Sequence, residues 1–360
     1  MVPVDTAVED LASRLRAAAA SDAFSGVVVL RRGDERLLEL ALGPASRRWP
    51  VPNHLGTRFD TASITKTFTS VAVLQQVDAG RLDLDASIHD HVDLAGTTIP
   101  REVTLRHVLS HTSGIADDAD EEAGEDYALL WVDKPCYSVM TTADFLPGFV
   151  HKEPNFAPGE GCRYCNVGYI LAGLALEAVT GVTYRDYVRE HVFARAGMTG
   201  AGFFDRRDPE PDVAEGWDPV RDDDGRIVSW RENIFSYPPI GSPDGGAQVR
   251  AEDLLIFLDA VRGGRLLSPE LTAAFLTPQA LHSTGDDGVS MHNAFGFELL
   301  LDPDGRTICW GKDGINAGAS GIVRHYPTQG VDLVVLSNTE AGAWEPIDWA
   351  HDTIIALDAR

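Results

Sequence analysis

Two of the four lysines, Lys66 and Lys312, stand in the two places where a serine acyl-transfer site would need them. Ser63-Ile64-Thr65-Lys66 places a hydroxyl and an amine three residues apart, so both side chains would lie on one face of a helix. Nearly all other positive charge in the chain comes from arginine, which keeps its proton in proteins, whereas lysine can lose one. Burial beside a second cation would lower the pKa of Lys66. The tetrad therefore predicts Ser63 as a nucleophile and Lys66 as a candidate base.

Two further motifs supply groups for the same chemistry. Tyr164-Cys165-Asn166 contains the other candidate base. A phenolate near two ammonium groups is stabilised, so the pKa of Tyr164 should fall from about 10. Lys312-Asp313-Gly314 opens a predicted strand and supplies the second cation. Each motif is a weak signal alone, but all three in this order indicate a serine acyl-transfer site.

The elements that would position these motifs begin and end with strands. Residues 24–30 and 35–41 are predicted to form a hairpin across the turn Gly33-Asp34. Strands return near the other end, at 295–300, 307–310, 321–326 and 331–336. A closing helix is predicted at 345–358.

Helical patterns fill the middle of the chain. The predicted helices run from Ser63 to Gly80, after the cap Thr104, from Asn166 to Thr180, from Tyr184 to Ala196, and from Ala251 towards Gly263. Two segments lack a regular pattern. The acid-rich residues 117–126 are predicted to form a solvated loop or lid, and residues 205–232 a loop with a turn at Asp224-Gly225.

This order of strands, helices, strands and helix predicts the α+β class. We expect an antiparallel sheet flanked by helices and made from both chain ends, with an inserted, mostly helical lobe. Residues 1–62 and 240–360 would form the lobe with the sheet, and residues 63–239 the helical lobe. The active site would lie in the cleft between the two lobes.

The motifs together resemble those of the serine β-lactamase and penicillin-binding-protein-like superfamily. The likeness is greatest to its class C branch, which includes the family VIII esterases, and it runs from about Phe24 to Asn338. Besides the three motifs it includes Leu109-Ser110-His111-Thr112-Ser113-Gly114 and Gly245-Gly246. It implies the β-lactamase/transpeptidase-like fold.

The resemblance also implies a role for each site residue. Ser63 would form an acyl-enzyme, and Lys66 and Tyr164 would share the roles of general base and acid. Lys312 would hold Tyr164 ionised or meet the substrate. The backbone N–H groups of Ser63 and Ile315 would form the oxyanion hole. The residues implied in substrate binding are Asn166, Asp313, Gly314 and Ile315.

Two residues depart from the family's pattern. Cys165 stands where serine is common, so a hydroxyl hydrogen bond becomes a weak thiol one. Asp313 stands where a hydroxyl residue is common, on the strand that meets the substrate carboxylate in β-lactam-cleaving relatives. A carboxylate there would repel that group and partly cancel the field of Lys312. Neutral or cationic substrates should therefore fit better than β-lactams.

Composition narrows the range of partners. The net charge of -25 argues against nucleic acid and anionic membrane as partners. No apolar run approaches the roughly 20 residues that span a bilayer. Met1 to Arg16 lacks the basic and apolar regions of a signal peptide, which favours the cytoplasm. The oligomeric state stays open.

No metal or cofactor is predicted. Cys162-Arg163-Tyr164-Cys165 is formally a CxxC, but its surroundings do not resemble a thioredoxin-like unit. His107 and His111 have zinc-ligand spacing, yet Val108 stands where a zinc hydrolase would need glutamate. Residues 222–225 hint at a calcium loop, but the acid that should follow six residues later is missing.

The sequence thus predicts a cytoplasmic, cofactor-free serine hydrolase that cleaves small carboxylic esters or amides through an acyl-enzyme on Ser63. The alternatives within enzymes are a β-lactamase, a D-amino-acid amidase or peptidase, and an acyltransferase. The alternative from another class is an acylated sensor or non-catalytic binding module. Substrate size and charge would separate these, and the motifs encode neither. Which of Lys66 and Tyr164 is the base in each step also stays open.

Overall fold

The computed structural model describes residues 4–357. The first three residues lie outside the described residues. They belong to the segment predicted to lack a signal peptide and to the lobe predicted to contain the sheet. Residues 358–360, which carry the end of the predicted closing helix and of the same lobe, also lie outside the described residues.

The strands of the described residues are β1 (Gly26–Arg32), β2 (Glu35–Leu42), β3 (Pro44–Ser46), β4 (Val51–Pro52), β5 (Phe59–Asp60), β6 (Trp217–Arg221), β7 (Ile227–Glu232), β8 (Gln248–Val249), β9 (Ala280–Thr284), β10 (Ser290–Asn293), β11 (Glu298–Leu301), β12 (Thr307–Asn316), β13 (Ala319–Tyr326) and β14 (Val331–Ser337). The main sheet has eight strands in the order β2-β1-β14-β13-β12-β11-β10-β9. Every neighbouring pair is antiparallel. Both chain ends therefore build one sheet, as predicted.

The helices are α1 (Val4–Ala20), α2 (Thr65–Asp78), α3 (Leu105–Leu109), α4 (Asn166–Thr180), α5 (Tyr184–Val188), α6 (Ala251–Arg262), α7 (Pro269–Phe275) and α8 (Trp344–Ile355). A π-helical turn, Arg189–Ala194, extends α5. Short 3₁₀ turns occupy Ala62–Ile64, Ile88–Asp90, Glu121–Ala123, Tyr127–Trp131, Cys136–Ser138 and Thr142–Gly148. The predicted α+β fold, with helices inserted between two groups of strands, is confirmed.

Alternation along β1 divides the core into two layers. Val28 and Leu30 face α1 and α8, whereas Val27 and Val29 face the larger core that includes α2, α4 and α6. Side chains alternate between the two faces of a strand, so a continuous apolar run such as β1 is buried on both faces. The motifs lie on the side of the larger core, between α2, α4 and β12.

Two predictions about elements were wrong, and one helix was missed. Residues 205–232 are not only loop, because β6 and β7 form a hairpin there across the turn at Asp224-Gly225. The amphipathic helix α1 was missed, although its buried residues follow helical spacing. Strand β12 extends to Asn316, so Lys312 lies inside a strand and does not open one.

The predicted lobe boundaries at residues 62–63 and 239–240 stay a prediction. Among residues 4–357, no single helix combines the length and apolar character needed to cross a membrane. One bent pair, Asn166–Thr180 with Tyr184–Ala194, meets that test by length and composition alone.

Candidate active site

Ser63 lies in a tight turn that leads into α2. The 3₁₀ turn Ala62–Ile64 runs directly into the α-helix at Thr65. Ala62 adopts a φ of 42°, a left-handed conformation that non-glycine residues rarely take. Its N–H donates to Oδ1 of Asp60 at 2.7 Å. The surrounding contacts hold a strained residue next to the serine, a feature that clusters at functional sites.

Two donors converge on the Ser63 hydroxyl. Nζ of Lys66 lies 2.9 Å from Oγ of Ser63, and the hydroxyl of Tyr164 lies 2.7 Å from the same atom. The structure thus brings together a serine and both candidate bases, although Tyr164 is a hundred residues away in the chain. Either group can exchange a proton with Ser63 through a direct hydrogen bond.

Lys66 is fully buried and surrounded by neutral acceptors. Besides Ser63, its Nζ donates to Oδ1 of Asn166 at 2.7 Å and to the carbonyl oxygen of Asp244 at 2.6 Å. Burial lowers the pKa of Lys66 and outweighs the opposing charges of Asp244 and Glu121, while the charge of Lys312 adds to the lowering. The direction agrees with the expectation from the sequence. A neutral amine here keeps two N–H donors for Asn166 and Asp244 and directs its lone pair at Ser63.

Tyr164 departs from the expectation. Burial raises its pKa well above the usual value, and the charge of Lys312 offsets only part of that effect. The predicted fall was wrong because it counted two ammonium groups and left out desolvation. The ring stacks on His111 with centroids 4.5 Å apart, and Nδ1 of His111 accepts from the N–H of Cys165. His111 therefore holds the Tyr164 segment in place.

Lys312 is a fixed cation held by two carboxylates. Its Nζ donates to Oε1 of Glu298 and to Oδ1 of Asp313, each at 2.6 Å. Burial alone would lower the pKa of Lys312, but Asp313 and Glu298 together raise it well above the usual value. Its Nζ lies 5.2 Å from the centre of the Tyr164 ring. The contact of Glu298 with Lys312 could not be predicted from the sequence, because no motif indicates how β11 pairs with β12.

Asn166 connects Lys66 to the acid-rich segment. Its side chain accepts from Lys66 and donates from Nδ2 to Oε1 of Glu121 at 2.8 Å. Its backbone N–H donates to Asp117, which also accepts from the next N–H and so caps α4. The prediction of a solvated loop at 117–126 was wrong at its start, since Asp117 and Asp118 are buried. Burial raises the pKa of Asp117 to about 6.

Gly314 allows β12 to pass against the serine turn. A Cβ at Gly314 would lie 2.3 Å from the carbonyl oxygen of Thr61 and 2.9 Å from the N of Ser63, closer than real Cβ atoms approach. Only glycine fits such a contact. Ile315 follows it and is 41% exposed beside Ser63. The oxyanion hole of Ser63 and Ile315 stays a prediction.

Ser63 lies where two cavities meet. The larger one, about 550 Å³, is lined by Asn166, Tyr237 and many acidic side chains. The smaller one, about 230 Å³, is lined by Tyr164, Lys312, Asp313 and Gly314 among others. Ser63 and Ile315 line both. A substrate can therefore extend to either side of the serine.

Within the described residues, neither the cysteines nor His107 and His111 form a disulfide or a group of metal ligands at this site. Cys165 is buried and its thiol points towards the carbonyl oxygen of Ile115, 3.6 Å away. All four cysteines are free, so Cys162 and Cys165 form no disulfide. Within the described residues no group of three His, Cys, Asp or Glu side chains converges as metal ligands do.

Comparison with known proteins finds chains that are similar in sequence and in overall fold. The Beta-lactamase family model matches residues 11–357. The crystal structure of a penicillin-binding protein from Bacillus halodurans superposes with a TM-score of 0.85 and 34% identity, covering 97% of this chain and 99% of that one. Esterase EstB of Burkholderia gladioli is 30% identical over 272 residues, 69% of this chain and 68% of the esterase. Penicillin-binding protein 4* of Bacillus subtilis (strain 168) is 24% identical over 339 residues, 88% and 68% of the two chains.

Proposed function

The chain belongs to the Beta-lactamase family of serine hydrolases, and we propose that it hydrolyses small carboxylic esters or amides through an acyl-enzyme on Ser63. The observation that carries the proposal is the convergence of Lys66 and Tyr164 on the Ser63 hydroxyl. Lys66, with a lowered pKa, is suited to accept a proton, and Tyr164, with a raised one, is suited to donate.

Acylation then takes two proton transfers. Oγ of Ser63 bonds to the substrate carbonyl carbon while its proton passes to the neutral amine of Lys66. The bond from that carbon to the leaving oxygen or nitrogen breaks, and the leaving atom takes the proton of Tyr164. Lys66 is now an ammonium and Tyr164 a phenolate, which the charge of Lys312 stabilises.

Deacylation restores both groups. Water attacks the acyl carbon and gives one proton to the Tyr164 phenolate. The bond between that carbon and Oγ breaks, and Oγ of Ser63 takes the proton of the Lys66 ammonium. The carboxylic acid leaves, and the serine, lysine and tyrosine return to their starting protonation states.

The test is steady-state hydrolysis of a short-chain p-nitrophenyl ester and of a chromogenic cephalosporin. We expect ester turnover in the wild type, its loss in Ser63→Ala, and intact-mass detection of an acyl adduct that the variant lacks. Ser13→Ala, at a serine on α1 whose hydroxyl bonds only its own helix, is the matched control. Ester turnover that survives in Ser63→Ala would refute the assigned nucleophile.

The same experiment separates the alternatives. Fast cephalosporin cleavage would make the protein a β-lactamase. A product that depends on an added alcohol would make it an acyltransferase, and a lasting adduct without turnover would make it an acylated sensor. The names of two relatives, a D-aminopeptidase from Brucella anthropi and a D-amino acid amidase from Ochrobactrum anthropi, make D-amino acid amides the next substrates to test.

A further inference from the structure

The larger cavity beside Ser63 is unusually acidic. Seven of its 26 lining residues are Asp or Glu, against 55 of 360 in the whole chain. Its lining contains one arginine, Arg206, which already pairs with Asp60 and donates to the hydroxyl of Tyr237. The fraction of acidic residues in the cavity lining is therefore higher than in the whole chain.

Six of these carboxylates form no salt bridge among residues 4–357: Glu121, Glu125, Asp126, Asp218, Asp244 and Glu340. Lys66 acts on Glu121 and Asp244 by charge, and Arg231 acts on Asp218, but neither cation pairs with these carboxylates. Where they are hydrogen-bonded, the donors are neutral. Glu125 and Asp126 accept backbone N–H groups, and Asp244 accepts from the hydroxyl of Ser242 at 2.5 Å. Anions that face a shared concave space repel one another, and a bound cation relieves that repulsion.

One wall of the cavity also holds acceptors without a donor. Asn233 is 6% exposed, and its Nδ2 donates to Oδ2 of Asp218 at 2.5 Å. Its own Oδ1 and the Oδ1 of Asp218 are buried and have no donor in hydrogen-bond geometry within the described residues, although the N–H of Gly318 lies near the Asp218 carboxyl and lowers its pKa. Buried acceptors of this kind are rare in native proteins and call for a partner. An ammonium group offers three donors and a compensating charge.

Glu340, which follows strand β14, lines the same cavity as Asp218. Burial raises its pKa, and the charges of Asp218 and Asp126 raise it further. Burial also raises the pKa of Asp218. These three carboxylates are thus near enough to influence one another, yet they do not converge as metal ligands do, since no such group occurs in residues 4–357. Their arrangement suits an organic cation better than a metal ion.

The positions of the proton donors identify which part of a substrate enters this cavity. In the proposed mechanism Tyr164 protonates the leaving group, and Tyr164 lines the smaller cavity. The leaving group therefore lies on that side of Ser63. The acyl group extends to the other side, past Asn166 and into the larger cavity.

We propose that the larger cavity binds an acyl group that carries an ammonium, seated against Asp218 and Glu340. The substrates would be esters or amides of amino-substituted carboxylic acids. This inference rests on the proposed function for the identity of the acyl side. The binding of the cation can be measured without any turnover.

The first experiment measures binding to Ser63→Ala protein by calorimetry, with hexanamide and 6-aminohexanamide as a matched neutral and cationic pair. We expect the cationic amide to bind at least tenfold more tightly at low ionic strength, and the difference to shrink as salt is added. Equal affinities at low salt would overturn the inference, whatever the protein does to esters.

The second experiment follows kcat/KM for p-nitrophenyl esters of alkanoic acids and of the matching ω-amino acids with four, six and eight carbons. We expect one chain length to show the largest preference for the amine. The double variant Asp218→Asn, Glu340→Gln should reduce that preference at least fivefold. The readout is a ratio between paired esters, so a general loss of fold or activity cancels.

A matched control removes two negative charges from the opposite face of the sheet. Asp10→Asn with Glu345→Gln, on α1 and α8, should leave both the activity and the preference unchanged. An equal loss of preference in this control would overturn the assignment to the cavity. Ser63-dependent ester turnover without any preference for amines would refute the inference and leave the proposed function standing.

Discussion

Lys66 and Lys312 are two buried lysines that flank one serine–tyrosine pair, and the hydrogen-bond acceptors that they contact differ in charge. Lys66 meets three neutral oxygens, whereas Lys312 meets two carboxylates. The pKa of Lys66 is lowered by burial, while the carboxylates raise that of Lys312 despite its burial. Equal burial of one residue type can therefore yield a base or a permanent cation, and the neighbouring acceptors decide which.

The largest expected effect comes from replacing Lys66 with a residue that cannot act as a base. Lys66→Arg keeps the positive charge and the donors but cannot release a proton. We expect kcat for a p-nitrophenyl ester to fall by about 10²–10⁴, the usual contribution of general base catalysis. Steady-state kinetics and the amplitude of the first-turnover burst measure the loss. A thermal melt checks that arginine fits the buried site.

Lys312→Arg is the matched variant on the other side. Arginine can retain the ion pairs with Glu298 and Asp313, so the fixed charge beside Tyr164 is preserved. We expect kcat/KM to fall less than about tenfold, far less than in Lys66→Arg. Similar losses in both variants, with both proteins folded, would show that the two lysines share one role.

A carboxylate next to Lys66 would give it the kind of neighbour that Lys312 has. Asn166→Asp places a carboxylate on Nζ of Lys66, and an opposite charge at this distance raises a lysine pKa by about one to three units. Lys66 accepts a proton only when neutral, so a higher pKa leaves less active enzyme at pH 7. The acid limb of the kcat/KM profile should move to higher pH by at least one unit.

Asn166→Ala removes the same hydrogen bond without adding a charge. Its acid limb should not move to higher pH, although kcat can fall through lost positioning. If the acid limb of the kcat/KM profile does not move in Asn166→Asp, a group other than Lys66 titrates in that profile.

The candidate catalytic residues of this site could be named from the sequence because each belongs to a short motif with its own spacing. The strands and helices around them followed from periodicity, and the antiparallel sheet from their order. The protonation of Tyr164 could not be predicted this way. Its pKa depends on how deeply the ring is buried, and that depth is set by packing against His111 and other distant residues.

Glu298 and the acidic cavity show a second limit. Glu298 meets Lys312 because β11 and β12 pair in one register, with Glu298 opposite Gly311. Glu340 and Asp218 line one cavity although 121 residues separate them. Such contacts are long-range, and no local pattern in the chain signals them. The predicted solvated character of residues 117–126 failed at the start of that segment for the same reason, since Asp117 is buried by capping a helix 49 residues later.

On the Lys312 side, the carboxylate of Asp313 should govern the choice between neutral and anionic substrates. Asp313→Thr removes a negative charge that lines the smaller cavity and bonds to Lys312. We expect kcat/KM for a chromogenic cephalosporin to rise several-fold relative to that for a neutral ester. The effect is limited because the Asp313 side chain is 41% exposed and solvent screens it. An unchanged ratio would refute the repulsion argument.

The smallest expected effect concerns Asp117, whose carboxylate lies near Lys66 without contacting it. Asp117 does not touch Nζ, but its charge raises the pKa of Lys66. Because the pKa of Asp117 is about 6, that charge is present only above this pH. Asp117→Asn keeps an acceptor for the cap of α4 and should move the acid limb to lower pH by a fraction of a unit. If the acid limb moved as far in Asp117→Asn as in Asn166→Asp, direct contact with a carboxylate would not explain why the pKa values of Lys66 and Lys312 differ.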